Sequence, residues 1–120
     1  MGLFSFFLEN DDRREWLDEI EDDISIKIYR GSETFGTPAF TVSRNKVYRG
    51  QHTIGSPIYT IRSNQIREGS SGFGKVCYTI RGGRIYEGEN GFGKAVYVIH
   101  GSRIYKGAEV SGKPVFSMRK

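Results

Sequence analysis

Beyond Ile28 the chain alternates apolar and polar residues in runs of four or five, the signature of strands buried on one face. Thr41-Val42 is followed by Lys46-Val47-Tyr48, Thr60-Ile61 by Gln65-Ile66, and Thr79-Ile80 by Arg84-Ile85. The pattern repeats every 19 residues without an insertion. Its opening residue falls at Ile28, Val47, Ile66, Ile85 and Ile104, and its aromatic at Phe40, Tyr59, Tyr78, Tyr97 and Phe116. Two residues after each aromatic come Val42, Ile61, Ile80, Ile99 and Met118. A fixed period of this size marks a repeat architecture. Between the two runs of each unit lies a two-residue link: Arg44-Asn45, Ser63-Asn64, Gly82-Gly83 or Gly101-Ser102. Gly-Gly and Gly-Ser between alternating runs are strong hairpin signals, because two-residue turns need positive φ.

A two-residue turn also fixes register. Val42 is expected opposite Val47, Thr41 opposite Tyr48 and Phe40 opposite Arg49. The aromatic and the two Ile/Val positions then share the core face. The opposite face carries the threonines, the tyrosines at 48, 86 and 105, and most of the bases. One unit buries about four large apolar side chains, worth ~6–12 kcal/mol gross, while ordering its residues costs about 1–2 kcal/mol each. A single unit therefore cannot fold alone, and neighbours must share a core. The predicted fold is mainly β: an antiparallel meander of about ten strands from five hairpin repeats over 28–120. The pattern is compatible with an open twisted sheet or with one curled toward closure. The remaining link, Gly-x-x-x-x-Gly, carries Phe35, Ile54, Phe73 or Phe92 and is expected to fold back onto one face.

Residues 1–27 read differently and form a separate N-terminal segment. Asn10 or Asp11 can cap a helix in which Trp16, Leu17, Ile20 and Ile24 fall on one side, opposite Glu15, Asp18, Glu19, Asp22 and Asp23. One amphipathic, acidic helix is predicted there, covering the repeats or detachable from them. Met1 to Leu8 is apolar but lacks the basic start and cleavage site of a signal peptide, and is too short to span a bilayer. Phe6 stands where a myristoylation signal needs Ser or Thr.

Charge sharpens this division. The net charge is +4. Residues 1–23 hold nine acids and two bases, a balance of −7, so the remaining five acids and sixteen bases leave +11 on the rest. The composition holds 16 glycines, ten of them at the two frame positions of the repeat, so the enrichment is architectural. One cysteine, Cys77, excludes an internal disulfide and fits a reducing, cytoplasmic setting.

Tyr86-Glu-Gly-Glu-Asn-Gly-Phe-Gly-Lys-Ala-Val-Tyr97, with Tyr105-Lys-Gly107, resembles the MORN repeat, in which Tyr-x-Gly and later glycines mark a β-hairpin unit. The period of 19 is shorter than that family's, and Asn90 replaces its usual second aromatic. The resemblance implies an elongated hairpin stack acting as a scaffold or as a protein or lipid contact surface, with no catalytic residue.

Candidate chemistry is sparse. Gly69-x-x-x-x-Gly74-Lys75 and Gly88-x-x-x-x-Gly93-Lys94 begin like a phosphate-binding loop, but Val76 and Ala95 replace its Ser/Thr and a strand follows where a helix is needed. His52 and His100 have no metal-ligand spacing, Cys77 takes an apolar frame position, and the acids of the repeats form no pair. No catalytic residue, metal or cofactor is expected. The better candidate is the polar face. Arg81 opposes Arg84 and His100 opposes Arg103, with Arg62 beside them and Tyr48, Tyr86 and Tyr105 in an adjoining row. Like charges opposed across strands are unfavourable, which a bound anion would relieve. The leading expectation is a non-enzymatic binding module or scaffold working through a protein partner. The alternative is a binder of polyanions (nucleic acid, acidic glycan or acidic lipid headgroups) through that face, masked by the acidic helix. Two free edges of an open meander would also permit a homodimer.

Overall fold

A computed structural model describes residues 25–120. Ten short strands follow in chain order: β1 (Ser25–Arg30), β2 (Phe40–Ser43), β3 (Lys46–Arg49), β4 (Tyr59–Arg62), β5 (Gln65–Glu68), β6 (Val76–Arg81), β7 (Arg84–Glu87), β8 (Tyr97–His100), β9 (Arg103–Lys106) and β10 (Phe116–Arg119). Each pairs antiparallel with its sequence neighbours, and β1 pairs with β10, so the sheet closes into a barrel.

The expected registers are those observed. Val42 faces Val47, Thr41 faces Tyr48 and Phe40 faces Arg49. The turns explain why: Arg44 and Asn45 adopt φ of 52° and 66°, Ser63 and Asn64 50° and 66°, and Gly82 and Gly83 57° and 77°. Two consecutive positive-φ residues give the turn whose twist matches that of paired strands.

The fifth unit is assembled from both ends of the chain. β10 supplies its first strand and β1 its second, with Met118 opposite Ile28 and Ser117 opposite Tyr29, the same frame positions that meet in the other four hairpins. This corrects the predicted architecture. The repeats form neither an open meander nor an elongated stack, because the pairing of β1 with β10 joins the two edges. No helix occurs among the described residues. The acidic helix expected before Ser25 lies outside them. β1 begins at Ser25, so residues 25–27 belong to the barrel. Closure also removes the free edges on which strand pairing between chains would rest.

The core lies inside the barrel. Ile28, Val42, Val47, Ile61, Ile80, Ile85, Ile99, Ile104 and Met118 are buried there, with Ile26 wholly buried beside Val42, its partner across β1 and β2. These side chains lie nearer the tight turns. The five aromatics of β2, β4, β6, β8 and β10 lie toward the other end and are half-buried.

Candidate functional site

The outer face of the sheet is not bare. The long link of each unit lies against its own hairpin like a petal. Thr41 Oγ1 donates to the Gly50 carbonyl at 2.7 Å, Thr60 to Gly69 at 2.7 Å, Thr79 to Gly88 at 2.8 Å and Ser117 Oγ to Gly31 at 2.7 Å. Thr41 and Ser117 are each only 1% exposed as a result. In the fourth unit the buried Val98 holds this position and no hydroxyl is available.

The predicted basic strip is where the register placed it. Arg81 pairs with Arg84 and His100 with Arg103. Much of it serves the petals. Arg62 Nη1 donates to the Gly72 carbonyl at 3.2 Å with its guanidinium carbon 4.9 Å from the Phe73 ring centre. Arg81 repeats this with the Gly91 carbonyl at 3.1 Å and Phe92 at 5.6 Å. A second set of bases reaches the neighbouring unit: Lys46 Nζ to the Ser70 carbonyl at 2.9 Å, Arg84 Nε to that of Ala108 at 3.4 Å, and Arg103 Nη1 to that of Ser32 at 2.9 Å. The last contact crosses the closure. The bases therefore tie each hairpin to its own petal or to the neighbouring one while keeping their charge at the surface. Tyr48, Tyr86 and Tyr105 are half-buried and His100 is exposed.

The links fold back onto one face, the outer one, with their apolar residues left at the surface. Phe35, Ile54, Phe73 and Phe92 are 76%, 83%, 78% and 74% exposed. They hold one repeat position.

A second feature escaped the sequence reading. Inside the barrel, a cavity of about 190 Å³ is lined by Phe40, Tyr59, Tyr78, Tyr97 and Phe116, with isoleucines and valines as its wall. Phe116 meets Phe40 edge to face at 6.2 Å and Tyr97 at 6.3 Å. Burial pushes the Tyr78 phenol above its ordinary pKa, helped by the nearby Tyr97 and Tyr59 phenols and then by Cys77 and Glu87. The cross-strand partners of the five aromatics are Arg49, Glu68, Glu87, Lys106 and Arg30. Directly paired residues share a face of the sheet, so these five exposed charges form a collar around the aromatic end. Glu68 and Glu87 occupy one arc of it, and Lys106, Arg30 and Arg49 the other. The signal was present in the repeated aromatic, but only closure brings its five copies round one space.

Comparison with curated proteins and with solved structures finds no match for the chain. A family model described as "6-fold beta flower protein" matches residues 23–119, which spans the whole barrel. The MORN resemblance is not confirmed by that match, and the closed ring differs from the stack it implied. Five hairpin units make up the described ring, against the six in the family's description. Repeat, hairpin geometry and the extent of the match agree: the chain belongs to the 6-fold beta flower family.

Proposed function

We propose that this small β-repeat protein is a non-enzymatic binding module working through protein–protein contact, with the exposed link residues as its contact surface. One observation carries the reading: Phe35, Ile54, Phe73 and Phe92 recur at a single repeat position and all stand in solvent. Scattered exposed apolar residues are ordinary. Four at equivalent places on a ring can meet one partner surface together, and contacts linked in one rigid body reinforce each other. None belongs to the core cluster, so replacing them should leave the barrel intact. The test is affinity capture from the source organism with the full chain and with Phe35→Ser, Ile54→Ser, Phe73→Ser and Phe92→Ser combined. A stoichiometric protein held by the first and lost by the second is expected. Identical capture by both, or none by either, overturns the reading.

Polyanion binding is the second reading, favoured by the exposed Arg62, Arg81 and Arg84 together with Lys75, Lys94 and Lys113 in the petals. Its marker is steep salt dependence. Labelled RNA, DNA or heparin should bind weakly at higher salt, and Arg81→Glu with Arg84→Glu should reduce binding further. Salt-insensitive binding, or none, removes it.

A further inference from the structure

We infer that the cavity inside the barrel is a binding site for a small organic ammonium ligand, its methylated head seated in the ring of Phe40, Tyr59, Tyr78, Tyr97 and Phe116. The first support is shape. At about 190 Å³ the space is below the range of about 300–1,000 Å³ used for drug-sized ligands. It exceeds the apolar cavity of about 150 Å³ that stays dry and accepts a benzene. It therefore suits a head of a few heavy atoms.

The second support is the lining. Five aromatic rings occupy one register position around it, and no charged side chain is among the lining residues. Ring faces attract a weakly hydrated cation within ~6 Å, and on one side of the ring Phe116 packs edge to face with Phe40 at 6.2 Å and Tyr97 at 6.3 Å. A methylated ammonium combines the apolar contact this wall requires with the positive charge the rings favour. A primary ammonium would lose hydrogen bonds to water, and the only side-chain acceptors among the lining residues are the phenol oxygens of Tyr59, Tyr78 and Tyr97.

The third support is the collar. Glu68 and Glu87 pair across the strands with Tyr59 and Tyr78. They set a negative arc beside two of the cage tyrosines. Arg30, Arg49 and Lys106 hold the opposite arc, so the cation enters toward the acids.

The test is titration of the full chain with choline, tetramethylammonium and 3,3-dimethylbutan-1-ol, followed by calorimetry and by tyrosine chemical shifts. The last compound has choline's shape without its charge. Choline and tetramethylammonium are expected to bind, with choline about tenfold tighter than the neutral isostere, which is about 1.4 kcal/mol. Tyr78→Phe keeps the ring and should retain most of the affinity, while Tyr78→Leu should lose at least about fivefold. Glu68→Gln with Glu87→Gln changes only exposed side chains, so it separates loss of binding from loss of fold. It should weaken the cations and leave the isostere unchanged. Equal binding of choline and its isostere overturns the charge recognition and leaves an apolar pocket. No binding of either cation to a folded chain overturns the site.

Discussion

The hydroxyl that fastens each petal shows how one atom repeated around a ring becomes a structural rule. Thr41, Thr60, Thr79 and Ser117 each give one hydrogen bond to a glycine carbonyl, and Val98 is the exception. Replacing Thr41 by Val keeps the shape and leaves the Gly50 carbonyl without that donor. A loss of about 1–2 kcal/mol is expected in urea unfolding. Val98→Thr is the converse. Repeat geometry places its hydroxyl by the Gly107 carbonyl, and a gain of about 0.5–1 kcal/mol is expected, the net worth of a hydrogen bond. Unchanged midpoints in both variants would show that the hydroxyl contributes nothing. The threonine column was legible in the sequence as the polar side of an alternating strand. Its partner was not, because a backbone carbonyl nine residues on carries no side-chain signal.

At the scale of elements, hairpins and links differ in how far the sequence determines them. Two-residue turns leave little choice of register, so the cross-strand partners of Phe40, Thr41 and Val42 followed from counting. The longer links have more freedom, and the third departs from the rest. After Gly69 its positive-φ glycine is Gly72 (83°), whereas the other links place their second one at Gly36, Gly55, Gly93 or Gly112, the positions equivalent to Gly74. The pairing of β5 with β6 shifts at Ile66 and Arg67. Gly74 instead presses its backbone against Glu68, and an added Cβ would meet the Glu68 carbonyl oxygen far inside contact distance. Gly74→Ala is therefore expected to cost about 3 kcal/mol or more, because backbone must move. Gly55→Ala meets open space and bears only the left-handed φ of 85°, about 1–2 kcal/mol. Equal losses, measured by thermal or urea unfolding, would contradict this ordering. Which face each link takes was left open by the sequence for a related reason. The barrel interior is already occupied from the strands, so the petals lie outside it.

At the scale of the molecule, closure is what the repeat did not announce. Five identical registers suit an open sheet as well as a ring, and the strand that closes the ring begins at Ser25, within the stretch whose acids and helical spacing pointed elsewhere. The cavity follows from the same fact. Eight strands make a barrel that side chains just fill, and ten make a wider one. The core aromatics were identified correctly as inward-facing, but their distance across the axis depends on a strand count that no local pattern contains. Removing residues 25–30 should leave β2 and β10 as bare edges. Self-association is expected on gel filtration, in place of the compact monomer of a closed barrel. A soluble monomer with unchanged stability would show that the ring does not depend on β1.

The contacts that cross from β10 and β9 to the loop after β1 are of the kind made elsewhere in the ring: Ser117 reaches Gly31 as Thr41 reaches Gly50, and Arg103 reaches Ser32 as Lys46 reaches Ser70. Counted around the barrel, the sequence behaves as a circle that has been cut between β10 and β1. Where the cut falls is then a matter of chain connectivity and not of the fold. A linker of about four glycines from Lys120 back to Ser25, with new ends opened between Gly82 and Gly83, would move the start of the protein to the far side of the ring. The same ten-strand barrel should form from it, since every pairing would survive except the one turn that was opened.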